Sequence, residues 1–201
     1  ITEGENFKES NYSITKHEGT LSITEVDAEV TVTIKGHEAT ATYDGDPHSV
    51  EGYEITDISN KLYKENDIGF TGQAKAEGTE AGTYQMNLSE TQFSNTNSNF
   101  KKVTFVVEDG SLIINRKSID DQNRITVTKP SDSKYNGEEH KNKPTVADTK
   151  TNRTLVEGTD YELSYSKDVT NAGTVTVTVK GIGNFSGETT TTYQITKRNV
   201  T

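Results

Sequence analysis

The chain of 201 residues has no cysteine, no tryptophan, one methionine and three prolines. Without cysteine there is no disulfide, no thiol nucleophile and no cysteine-based metal site. Leucine is scarce, at 6 residues against 28 of valine and isoleucine together. That ratio excludes a helical bundle and favours strands. Threonine, also β-branched, adds 32 residues. No run of 18 apolar residues is present, so nothing reads as a membrane-spanning helix. The apolar fraction is only 29%. Two thin, small cores are therefore expected rather than one large one. Basic residues number 21 against 31 acidic ones, a net charge of −10, which argues against a nucleic-acid partner. The imbalance sits in residues 1–100, with 18 acidic and 6 basic side chains. A cysteine-free, threonine-rich, acidic chain suits a bacterial surface or secreted setting. No signal peptide is visible, and the chain opens in mid-pattern at Ile1, as a piece of something longer does.

An internal repeat organises what is present. Asn6-Phe7 leads to Leu21-Ser22-Ile23-Thr24, Asn99-Phe100 to Leu112-Ile113-Ile114-Asn115, and Asn184-Phe185 to Tyr193-Gln194-Ile195-Thr196. Ile23, Ile114 and Ile195 are then equivalent, at spacings of 91 and 81. Tyr43-Asp44-Gly45 and Tyr135-Asn136-Gly137 begin two repeats, their tyrosines 92 apart. Ala81-Gly82-Thr83 and Ala172-Gly173-Thr174 correspond at a spacing of 91. The expected organisation is a leftover tail of a preceding repeat at 1–27, a first full repeat at 28–116 and a second at 117–201. The tail amounts to about two strands and should pack on the first repeat or pair with a neighbouring edge.

The strand signal is direct. Thr174 to Val179 alternates threonine and valine, placing every valine on one face, and Glu29 to Ile34 and Ile125 to Thr128 behave alike. Asp109-Gly110, between Phe105-Val106-Val107 and Leu112-Ile113-Ile114, predicts a hairpin. A short helical turn is expected near Ile58 to Lys64. The fold class is all-β: two tandem antiparallel β-sandwich (Ig-like) domains, with a β-grasp-like topology as the alternative. Tyr43 and Tyr135 should anchor turns, ring inward, with Gly45 and Gly137 at positive φ. Phe7, Phe100 and Phe185 read as core plugs.

These residues carry a resemblance. Tyr43-Asp44-Gly45, Ala81-Gly82-Thr83-Tyr84 and Gly110-Ser111-Leu112-Ile113-Ile114 resemble the YDG/MBG-type repeats of bacterial surface proteins. The second repeat is similar to bacterial Ig-like repeats of Gram-positive surface proteins. Its matching residues are Tyr135-Asn136-Gly137, Glu157-Gly158-Thr159-Asp160-Tyr161, Ala172-Gly173-Thr174 and Gly183-Asn184-Phe185-Ser186-Gly187. The resemblance implies an extracellular, wall-attached or secreted protein of tandem β domains. It implies an adhesin-type partner, a host protein or glycoprotein of the mucin or immunoglobulin class. It also implies that some repeats are plain stalk. It brings no functional residues of defined type.

Catalytic and metal signals are sparse. His17, His37, His48 and His140 are scattered without metal spacing. Asp44 with Asp46, and Asp120 with Asp121, are the carboxylate pairs that could hold calcium, but neither has the ligand number of a calcium loop. Lys35 and Lys180 lie by strands, where an internal isopeptide crosslink would need a buried lysine. No phosphate loop, nucleophile elbow or dinucleotide fingerprint occurs. No enzyme and no cofactor are expected, and the chain reads as a monomeric segment of a longer array. The repeats differ most between Ser89 and Ser98, a longer polar stretch in the first. Gln92, Phe93, Asn95 and Asn97 are its candidate ligand-binding residues, with an exposed Phe93 as the contact and a Phe93 tucked inward as the alternative.

Overall fold

A computed structural model describes residues 8–199. Ten strands build the first repeat: β1 (Val30–Gly36), β2 (Glu38–Thr42), β3 (His48–Glu51), β4 (Tyr53–Ile58), β5 (Ile68–Phe70), β6 (Lys75–Gly78), β7 (Gly82–Gln85), β8 (Phe93–Asn95), β9 (Val103–Glu108) and β10 (Ser111–Asn115). The second repeat holds β11 (Lys117–Ser118), β12 (Ile125–Thr128), β13 (Ser133–Lys134), β14 (Thr145–Asp148), β15 (Arg153–Thr154), β16 (Tyr161–Tyr165), β17 (Gly173–Gly181), β18 (Phe185–Ser186) and β19 (Glu188–Thr196). Single 3-10 turns, including one at Glu65–Asp67 just past the expected position, are the helical structure among the described residues. The fold is all-β. Alternation works as expected: Val30, Val32 and Ile34 of β1 and Val175, Val177 and Val179 of β17 are all buried.

The sheets are mixed rather than purely antiparallel. In the first repeat they run β4-β1-β9 and β2-β10-β7, with β1 parallel to β9 and β2 parallel to β10. Here the Asp109-Gly110 hairpin is corrected. β9 and β10 do not pair; they are two arms of one bent strand, each lying against an arm of the bent β1-β2. The register offset is unchanged across the bend, with Lys35 opposite Glu108 before it and Glu38 opposite Ser111 after it. The bends touch. A Cβ on Gly36 would lie 2.4 Å from the Gly110 amide nitrogen, and one on Gly110 would lie 2.5 Å from the His37 carbonyl. Glycine at both positions lets the backbones cross. Asp109 is occupied elsewhere: its carboxylate accepts the amides of Leu88 at 2.8 Å and Asn87 at 3.1 Å.

The repeat landmarks meet equivalent partners. Ile114 pairs with Gly82 as Ile195 pairs with Gly173, and Leu112 pairs with Tyr84 as Tyr193 pairs with Val175. The Tyr43 amide donates to the Asn115 carbonyl at 2.8 Å, and the Tyr135 amide to the Thr196 carbonyl at 2.9 Å. At each repeat's entrance, Val26 bridges Phe100 in parallel as Lys117 bridges Phe185. The Val26 amide donates to Asn99 as the Lys117 amide donates to Asn184.

The core departs from the expectation of two separate ones. The larger cluster runs from Val30, Ile34 and Leu112 through Tyr43 and Phe185 into Ile119, Ile125, Val146 and Tyr161. A smaller one holds Val169, Val175, Val177, Tyr193 and Ile195. Phe100 and Phe185 are buried plugs, while Phe7 lies outside the described residues. Ahead of β1, the expected strand pair is not formed among the described residues. Val26 makes the one bridge, and Leu21 and Ile23 are 88% and 85% exposed. They occupy the positions that Leu112 and Ile114 bury.

Candidate functional site

The Ser89–Ser98 stretch is not an open loop. A 3-10 turn at Glu90–Gln92 leads into β8, which pairs antiparallel with β5 so that Phe93 faces Phe70. Phe93 is 6% exposed, and its ring meets Tyr53 at 5.1 Å, Phe70 at 5.0 Å and Phe105 at 6.0 Å between centroids. Of the two readings of Phe93, the ring tucked inward is the one the structure shows. The polar candidates hold the stretch in shape. Gln92 accepts the Ser89 amide at 2.8 Å. Asn95 donates to the Asn97 and Phe100 carbonyls and accepts the Tyr63 hydroxyl at 3.0 Å. Asn97 accepts the Asn99 amide at 3.0 Å.

A dense polar arrangement lies instead at the joint between the repeats. Its centre is Tyr43, at the end of β2, whose ring meets Phe185 edge-on at 5.6 Å. The turn after it is set by Asp44, which accepts the Asp46 amide at 3.1 Å, and by Gly45 at φ +87°. Arg124, just ahead of β12, reaches both repeats. Its guanidinium forks onto Asp148 of β14, Nε to Oδ1 at 2.8 Å and a terminal nitrogen to Oδ2 at 2.6 Å. Its other terminal nitrogen donates to the Tyr43 carbonyl at 3.1 Å. Asp148 is 1% exposed. Burial opposes its charge, but the Arg124 bonds and the Lys150 and Thr151 amides outweigh that, and the carboxyl sits below its ordinary range.

Around this centre, Lys150 donates to Asp44 at 2.5 Å and to Asp46 at 3.1 Å. Lys150 holds the Asp44 carboxyl well below the ordinary carboxylate range, assisted by the Asp46 amide and His48 and opposed by burial. His48 adds a contact to Asp44 at 2.9 Å. Asn184 closes the other side, accepting the Ala81 amide at 2.8 Å and donating to Glu80. Burial pushes the Tyr43 hydroxyl up.

The joint thus absorbs the first carboxylate pair read as a calcium candidate. Asp44 and Asp46 close on an ammonium, and in the second pair Asp121 holds Lys117 while Asp120 holds Ser118. Among the described residues no group of three or more acidic or histidine side chains could ligate a metal. Lys180 is exposed and Lys35 pairs with Glu38 and Glu108. An open cleft of about 640 Å³ lies between Ile58 and Asn66, lined by Asn60, Lys61, Tyr63, Lys64 and Glu65. Sequence reasoning missed Arg124, Asp148 and Lys150 because they match no motif. The signal that pointed nearby was the equivalence of Tyr43 with Tyr135.

The comparisons with known proteins agree with the first repeat's resemblance. Residues 29–116 match the model of the MBG domain, spanning the segment from Tyr43-Asp44-Gly45 to Leu112-Ile113-Ile114. No curated protein matches the chain.

Proposed function

We propose that this chain is a stiff, non-enzymatic spacer of a bacterial cell-surface or secreted protein, holding its two repeats in a fixed relative orientation to project a neighbouring domain. The observation that supports this reading is the joint. A flexible linker exposes its residues and leaves few contacts across it. This one continues the hydrophobic core through Tyr43 and Phe185 and fixes it with a half-buried guanidinium that bonds the buried Asp148 on one side and the Tyr43 carbonyl on the other. Solution scattering on the chain and on Arg124→Ala tests it. The spacer has one extended profile that salt leaves unchanged, and the variant broadens its distance distribution. A natural chain that already scatters as two loosely linked bodies contradicts the reading.

A second reading, a module that binds a host mucin or immunoglobulin, is favoured by the open cleft lined by Asn60, Lys61 and Tyr63. It predicts saturable retention on an immobilised host protein at physiological salt, reduced by Lys61→Glu in that lining.

A further inference from the structure

The turns at Tyr43 and Tyr135 are built alike. Gly45 and Gly137 stand at φ +87° and +91°. Asp44 accepts the amide two residues on, as Asn136 does at 2.9 Å. Both tyrosine amides bond the last strand of their repeat. What differs is the covering of the ring. Tyr43 is 7% exposed beneath Phe185, whereas Tyr135 is 37% exposed. The strand continuations differ in the same sense. After Asn115, Lys117 and Ser118 pair in parallel with Phe185 and Ser186. After Thr196, Lys197, Arg198 and Asn199 are exposed.

We propose that the face around Tyr135, with the Lys197-Arg198-Asn199 edge, docks a further β repeat bearing an Asn-Phe turn of the Asn184-Phe185 type. The inference rests on the spacer reading, since it treats the observed joint as a repeatable coupling. The phenylalanine of the docked repeat covers Tyr135, and its arginine bonds the Tyr135 carbonyl. Arg198 and Asn199, standing where Lys117 and Ser118 stand after Ile114, pair with the strand that opens on that phenylalanine. One position weakens the coupling: Asn136 replaces the carboxylate that Asp44 offers to Lys150. Glu138, at the position of Asp46, keeps its charge.

The test joins the chain through Asn199 directly to a second copy of residues 119–201. Ile119 of the added copy then follows Ile195 by five positions, as Ile119 follows Ile114, and Arg198 and Asn199 keep the places of Lys117 and Ser118. The expected result is ring-current shifts of the Tyr135 protons and nuclear Overhauser contacts from them to the added phenylalanine. Tyr135→Ala should lower the melting temperature of the added copy as Tyr43→Ala lowers that of the natural second repeat. Asn136→Asp should raise it. The proposal is overturned if Tyr135 keeps its natural-chain shifts, if Tyr135→Ala leaves the added copy's melting unchanged, or if the added copy stays unfolded. Self-association of the natural chain through Tyr135 overturns it too. Tyr43→Ala in the natural chain separates the two claims. If it loosens the existing joint while Tyr135 docks nothing, the spacer reading stands and only the docking face is lost. If it leaves the existing joint unaltered, the spacer reading fails at its source.

Discussion

The ring of Tyr43 meets the ring of Phe185 edge-on, with centroids 5.6 Å apart and planes at 79°. One residue opens the turn after β2 in the first repeat, and the other opens β18 in the second. Their contact makes two thin cores continuous. Each repeat is poor in large apolar side chains, so an end left open to water has little to stabilise it. Covering each end with the next unit offsets that shortage.

Phe185 is fully buried. Phe185→Ala is expected to cost about 3–5 kcal/mol of stability, from lost burial and the cavity left behind. Urea unfolding followed by tyrosine fluorescence measures it. A loss confined to the second repeat, with Tyr43 unperturbed, contradicts the shared core.

Arg124→Ala strands the Asp148 carboxylate in a buried site, and a loss of about 3–5 kcal/mol is expected. Arg124→Lys should recover only part of it, because an ammonium cannot fork onto Asp148 and reach Tyr43 together. Lys150→Ala should matter far less, since its side chain is 47% exposed and its pairs are open to salt screening. Comparing the three melting temperatures orders them.

The pH dependence follows from Asp44. Its carboxyl is held below the ordinary range by Lys150 in the folded state, so its contribution is full above the unfolded value of 3.8. That contribution is lost as pH falls from there toward the depressed folded value. Carboxyl carbon shifts of Asp44, followed by NMR from pH 6 downward, should show no titration through the ordinary range. Lys150→Ala should restore it.

Gly110→Ala tests the crossing of the two bent strands. The added methyl group meets the His37 carbonyl and the Met86 sulfur, so a loss of about 1–3 kcal/mol is expected. Gly173, where an added methyl group would meet no atom within 4 Å, is the control that tolerates alanine.

Phe93→Ala is expected to cost about 3–5 kcal/mol, because it empties the centre of the Tyr53, Phe70 and Phe105 cluster. Thermal unfolding measures it. A variant as stable as the natural chain contradicts the core placement.

Local patterns were legible in the sequence and long-range ones were not. The faces of β1 and β17 follow from alternation, which each strand carries within itself. The register of the repeat follows from landmarks kept in order, and Tyr43, Gly82 and Ile114 find the same partners as their counterparts. Asp109-Gly110 misleads because a turn dipeptide marks a change of direction without naming what the flanking strands pair with. Phe93 sits among serines and asparagines, so its neighbours read as loop, while its true partner, Phe70, lies on another strand. The joint is hidden for a similar reason. Arg124, Asp148 and Lys150 are ordinary surface residues until the fold places the Tyr43 carbonyl and the Asp44 carboxylate among them.

The central claim is that the two repeats are held as one body by the contact of Tyr43 with Phe185 and the reach of Arg124. Residual dipolar couplings of backbone amides in a weakly aligned sample test it most directly. The account predicts that one alignment tensor fits the amides of β1–β10 and β11–β19 together, and that Tyr43→Ala splits it into two. Two tensors of unequal magnitude in the natural chain would contradict it.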